Sequence, residues 1–172
     1  SKENQEKVTL KDFEEARDKV LLGKELKTIV LSEDERRMTA YHEAGHALVR
    51  LLIPEQTDPL HKVTIVPRGR TLGTTHSLPE REKYSSTKEE MLASIQSALG
   101  GRVAEQLVFG KLATGAYSDF RVATDIARNM VCRYGMSEDL GMIVYSQHGD
   151  YVYSQHTAEK IDTEVRRIVD EC

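Results

Sequence analysis

His42-Glu43-Ala44-Gly45-His46 places two imidazoles four residues apart, inside a stretch with helical apolar spacing. On a helix, positions four apart share one face, so both rings can grip a single ion. Glu43, beside the first histidine, can reach water at that ion. This H-E-x-x-H pattern is the helical half of a zinc hydrolase site, with the glutamate as general base. The bland alternative is a solvated helix that happens to carry two histidines. Gly45 stands mid-helix, where it costs about 1 kcal/mol relative to Ala. A glycine there makes sense if another backbone segment, or a substrate, approaches closely.

Local signals place the other elements. Thr9 with Asp12 marks a helix start; Leu10, Phe13, Ala16, Val20 and Leu21 give its apolar face, and Gly23 its stop. Residues 24–31 read as a connection. Ser32 with Glu35 forms a capping box for a second helix, from about Glu33 to Ile53, ended by Pro54. Residues 55–61 read as a loop. Lys62-Val63-Thr64-Ile65-Val66 is a β-rich run closed by Pro67 and Gly69, and residues 70–78 offer a partner strand. Ser86 with Glu89 resembles another capping box. It precedes a long helix through Met91, Leu92, Ile95, Ala98, Leu99, Val103, Leu107 and Val108. Gly100-Gly101 within that helix points to a kink or a tight helix–helix contact, with packing favoured. A fourth helix follows with Ser118 or Asp119 near its N-cap, ended by Gly135. Residues 136–153 read as loop with some strand, and 157–172 as a last helix. The fold class is mainly α, with a small β-hairpin beside the H-E-x-x-H helix.

Composition narrows the function classes. Apolar residues make up 39% and charged residues 30%, which fits a globular chain and not a disordered one. A net charge of −4 leaves no basic footprint, so nucleic acid is not an expected partner. No apolar run is long enough to span a bilayer, and the start does not resemble a signal peptide. Cys132 and Cys172 form no C-x-x-C pair, so neither a cysteine zinc site nor a redox motif is indicated. With Ser1 in place of Met and an end inside a helical pattern, the chain reads as a fragment.

A catalytic zinc ordinarily has three protein ligands and one open position. His42 and His46 supply two. Val49 and Leu52 exclude the extension that would put Gly and His at those positions. Spacing leaves Glu89, Glu90, Glu105, Asp119, Asp125, His61, His76, His148 and His156 as candidates for the third. Glu89 and Glu90 look like capping residues, and His148 and His156 sit in polar sequence. Glu105 and Asp119 stand out, although an N-cap carboxylate explains Asp119 equally well.

The stretch Thr39-Ala40-Tyr41-His42-Glu43-Ala44-Gly45-His46-Ala47-Leu48 resembles the protease domain of the FtsH family, membrane-anchored ATP-dependent zinc metalloproteases of the AAA+ class. His61-Lys62-Val63-Thr64-Ile65-Val66-Pro67-Arg68-Gly69, Gly100-Gly101-Arg102-Val103-Ala104-Glu105, Thr114-Gly115-Ala116 and Tyr134-Gly135-Met136-Ser137 continue it in family order. The resemblance implies a zinc endopeptidase domain over 32–172, truncated at its C-terminus, preceded by the end of the AAA+ helical lid and a linker over 1–31. It implies one Zn2+ per chain held by His42, His46 and Asp119, with Glu43 as catalytic base and Glu105 orienting a ligand histidine. Tyr117-Ser118-Asp119 departs from the usual Ser-Asn-Asp but keeps the ligand; His76 stays unassigned. Polypeptide substrates are expected, unfolded or short-lived, with Lys62, Val63, Thr64, Ile65 and Val66 as a strand that pairs with them. No phosphate-binding loop occurs, so ATP belongs to the absent ATPase module. The family further implies a homo-hexamer and an anchor through an absent N-terminal segment. The protease domain would then face the cytoplasm or the equivalent organellar compartment, and this fragment would be soluble.

Overall fold

The computed structural model describes residues 7–26, 28–68, 71–79, 82–145 and 153–172. Among the described residues five helices and one hairpin follow one another: α1 (Leu10–Leu21), α2 (Glu33–Leu52), β1 (Leu60–Thr64), β2 (Thr74–Ser77), α3 (Lys88–Phe109), α4 (Tyr117–Cys132) and α5 (Gln155–Glu171). A single 3-10 turn, Thr114–Ala116, leads into α4. The expected mainly helical architecture with a small β element is what forms. None of the described helices is long and apolar enough to cross a membrane.

The helix starts follow the local chemistry. Ser32 accepts from the Glu35 amide while Glu35 returns to the Ser32 amide, and Thr9 and Asp12 do the same for α1. At α3 the box is Thr87 with Glu90, one residue beyond the expected Ser86–Glu89 pair. Both frames read S/T-x-x-E; the observed one also lets Glu90 take an ion pair with Lys83 at 3.1 Å. α4 differs more. Its N-cap is Ala116, so Asp119 lies inside the first turn and does not cap. Residues 136–145 form turns without strand, and the remainder of the expected 136–153 segment up to 152 lies outside the described residues.

α3, α4 and α5 enclose the core. Ile95, Met130 and Ile161 are fully buried, joined by Ala123, Ala127, Val131, Val165 and Ile168. Truncating a side chain of this size in such a core costs about 2–5 kcal/mol. Cys132 belongs to this cluster and Cys172 packs against it, both as free thiols. α2 lies against α3 at a crossing made of glycine. A Cβ on Gly45 would fall 2.3 Å from the Gly100 carbonyl oxygen, and one on Gly100 would fall 2.7 Å from the Gly45 carbonyl oxygen. Of the Gly100-Gly101 pair, Gly100 therefore makes the close backbone contact; α3 runs unbroken through both.

The hairpin is antiparallel, with Lys62 opposite His76, Val63 opposite Thr75 and Thr64 opposite Thr74. β1 thus begins and ends two residues earlier than the expected 62–66 run. Thr75 and Ser77 turn towards α2, bonding Glu43 and Arg50; Lys62 and His76, a cross-strand pair, occupy the opposite face. Lys62 is held there by the buried carboxylate of Asp18, with Arg68 3.9 Å away. Leu26 and Pro67 add a backbone hydrogen bond of 2.9 Å, so the hairpin ties α1 to the body. The Lys62 hydrogen bond, reinforced by Arg68, holds the Asp18 carboxyl below its usual range despite burial. Its contribution is complete above the unfolded pKa of about 3.9 and disappears as pH falls through the lower folded value. Asp18→Asn is expected to loosen α1 by about 1–2 kcal/mol at neutral pH, a figure reduced because Lys62 remains partly exposed. Hydrogen exchange would show faster opening of α1 with α4 unchanged; identical α1 protection would refute the clamp.

Candidate metal centre

Three ligand-type atoms converge between α2 and the start of α4. His42 Nε2 and His46 Nε2 lie 3.0 Å apart, and Asp119 Oδ2 lies 3.2 Å from the first and 3.7 Å from the second. Among the described residues this is the grouping of His, Cys, Asp or Glu able to hold a metal ion. The helical repeat of α2 supplies the two rings on one face. The turn at Thr114–Ala116 starts α4 early enough to place Asp119 one turn in, aimed back at α2.

The opposite ring nitrogens are anchored. His46 Nδ1 lies 2.7 Å from the Ser97 carbonyl oxygen, which can only accept, so Nδ1 carries a hydrogen and Nε2 presents a lone pair. His42 Nδ1 lies 2.7 Å from Glu105 Oε1, at the bottom of α3, where Glu105 is 3% exposed. Asp119 Oδ2 is shut off from solvent and receives no hydrogen bond. Burial alone would lower the His42 pKa, but the carboxylates of Asp119 and then Glu105 outweigh it and raise it. The site therefore favours positive charge at the point where the three atoms meet. An orphaned carboxylate oxygen and two oriented imidazoles are the donor set of a tetrahedral zinc site with one position open. The residues fit the ion.

Glu43 sits beside this point, largely buried. Burial raises its pKa, and a hydrogen bond from Thr75 opposes the rise. The site opens into a cleft of about 730 Å³, whose hairpin wall is Thr71 to Thr75 and whose far wall includes Val122 and Ile126. Lys62, Val63, Thr64, Ile65 and Val66 do not line it. The reason is topological: β2 lies between β1 and the cleft.

The other candidates lie elsewhere. Glu90 caps α3, Glu89 stands in the same first turn, Asp125 and His156 are exposed on α4 and α5, and His61 and His76 face each other across the hairpin with ring centroids 6.3 Å apart. His148 lies outside the described residues. Sequence reasoning passed over Ser97, Gly73 and Thr75. Ser97 acts through its backbone carbonyl, which leaves no signature in residue type. For Thr75 the available signal was strand alternation, which puts it on the same face as Ser77.

A helical domain in which an H-E-x-x-H helix and a distant aspartate converge beside an open cleft is, by fold and site, a metallopeptidase-type domain. Residues 29–172 match Peptidase family M41, and the chain belongs to that family. It is 47% identical, over 99% of its length, to the ATP-dependent zinc metalloprotease FtsH of Rubrobacter xylanophilus. It is 49% identical over 95% of its length to the FtsH of Cupriavidus metallidurans, and 45% identical over 98% to that of Caulobacter vibrioides. The chain spans 28%, 26% and 29% of those relatives respectively, under a third of each.

Proposed function

We propose that this chain is the zinc endopeptidase domain of an ATP-dependent protease, with the reaction centred on His42, Glu43, His46 and Asp119. The observation that carries the reading is the meeting of the two imidazole Nε2 atoms with a buried carboxylate oxygen of Asp119, one residue from a buried glutamate. A bound zinc ion supplies Lewis acidity, lowering the pKa of water and polarising a carbonyl. His42, His46 and Asp119 would hold it; Glu105 and the Ser97 carbonyl keep the two rings in register. Glu43 takes the proton of the attacking water and passes it to the departing amine nitrogen. The walls of the cleft orient an extended polypeptide. The hairpin is the element proposed to pair with that polypeptide, through the Thr71–Thr75 segment in preference to Lys62–Val66, because Thr71–Thr75 lines the cleft and Lys62–Val66 does not.

The similarity to FtsH proteins supports placing this domain in a longer, membrane-anchored, hexameric enzyme. Residues 1–31 would be the end of the ATPase lid and its linker, and 32–172 the protease domain. The family match over residues 29–172 is the observation that supports a boundary near there. The substrates would be unfolded or misassembled polypeptides delivered by the motor. Stripping the full-length protein of metal with a chelator is expected to abolish cleavage of unfolded casein, and stoichiometric Zn2+ to restore it, with Mg2+ ineffective. Cleavage that survives complete removal of metal would end this reading.

A further inference from the structure

The carboxylate of Glu43 is held from the hairpin and not from its own helix. Thr75 Oγ1 donates to Glu43 Oε2 at 2.6 Å and lies 3.0 Å from the Glu43 carbonyl oxygen. Buried Gly73 borders the same side chain and leaves space beside it: a Cβ there would lie 2.7 Å from Glu43 Cγ, 2.8 Å from Oε1 and 2.8 Å from Thr39 Cγ2. The strand that carries both contacts is itself fixed to α2, through Arg50 Nη1 donating to Ser77 Oγ at 2.6 Å. Glu43 is thus gripped at one oxygen by a hydroxyl and wedged along its stem by a backbone with no side chain.

We infer that Thr75 is the positioning residue for the Glu43 base: its hydroxyl fixes one carboxylate oxygen so that the other is presented to the reacting water. This rests on the peptidase reading above. A glutamate side chain has three rotatable bonds, and one hydrogen bond to a paired strand selects a single arrangement of them. A reacting group displaced by about 1 Å loses on the order of 100-fold in rate. Gly73 serves the same end by leaving room, since any side chain there would push Glu43 out of line.

The test uses the full-length, zinc-loaded protein and unfolded casein, with four variants: Thr75→Val, Thr75→Ala, Thr75→Ser and Glu43→Gln. Thr75→Val keeps the shape and deletes the hydroxyl. It is expected to lower kcat about 10- to 100-fold, with KM within about twofold and one zinc per chain retained. Thr75→Ala should behave alike, which guards against a packing effect peculiar to Val. Thr75→Ser restores the donor and should return kcat to within about threefold of wild type. Wild-type kcat in Thr75→Val, or Thr75→Ser as impaired as Thr75→Ala, would overturn the proposal. Loss of zinc in both Thr75→Val and Thr75→Ala would also overturn it, because the effect would then run through the metal site. Equal cleavage by wild type and Glu43→Gln would instead overturn the peptidase reading, and the proposal with it.

Discussion

Glu43→Gln is expected to lower casein cleavage by the full-length protein about 10²- to 10⁴-fold while zinc stays bound at one per chain. The amide keeps the volume of the carboxylate and its oxygen still accepts from Thr75, so neither the helix nor the hairpin contact need change. What it loses is the ability to take a proton. The three proposed zinc-holding residues are separate side chains, and the Nδ1 anchors of the two histidines, Glu105 and the Ser97 carbonyl, do not involve Glu43. Rate and metal content should therefore part company, and mass spectrometry of the bound metal beside a kcat measurement reads both. Cleavage at the wild-type rate would remove Glu43 from the chemistry. Loss of zinc together with rate would make it part of the metal site instead.

Two glycine-to-alanine changes are expected to fail in different ways. Gly45→Ala puts a Cβ 2.3 Å from the Gly100 carbonyl oxygen and 2.8 Å from Ala104 Cβ. The first neighbour is backbone in the middle of α3 and cannot rotate away, so α2 and α3 must separate. The expected cost is about 3 kcal/mol or more, read as a fall in Tm of roughly 6–12 °C for a domain of this size. Gly101→Ala aims its Cβ at the two rings, 2.6 Å from His42 Cε1, 2.7 Å from His42 Nε2 and 2.7 Å from His46 Nε2. Side chains can yield where backbone cannot, so this variant should keep more of its stability and lose zinc. Thermal unfolding and metal content measured on both variants check the contrast. A Gly45→Ala protein with unchanged Tm, or a Gly101→Ala protein with full zinc occupancy, would contradict the packing described above.

The parts of the fold that were legible in the sequence are those fixed within a few residues. Ser32 and Glu35 answer each other across one turn, and Thr9 and Asp12 do the same, so the starts of α1 and α2 needed no outside contact. His42 and His46 share a face because a helix repeats every 3.6 residues. Where two local solutions competed, sequence could not choose: Ser86–Glu89 and Thr87–Glu90 satisfy the same rule, and an ion pair with Lys83, seven residues from Glu90, accompanies the frame that forms. The β-branched run 62–66 points to a strand two residues later than the one that forms, because it extends past the point where β2 stops pairing.

By itself, then, the sequence determined a helix bearing His42, Glu43 and His46, the helices around it, a hairpin after it, and the family to which such a chain is similar. From spacing alone, the third metal-binding candidate stayed open among nine residues. The tertiary structure decided which carboxylate meets the Nε2 atoms and which meets His42 Nδ1, because the crossing of α2 over α3 at Gly45 and Gly100 and the early start of α4 bring Asp119 within 3.2 Å of His42 Nε2 and Glu105 within 2.7 Å of its Nδ1. It also decided that Lys62 turns to Asp18 and that Thr75 turns to Glu43, since which edge of a hairpin meets a helix is set by packing between elements and leaves no periodic trace in either one.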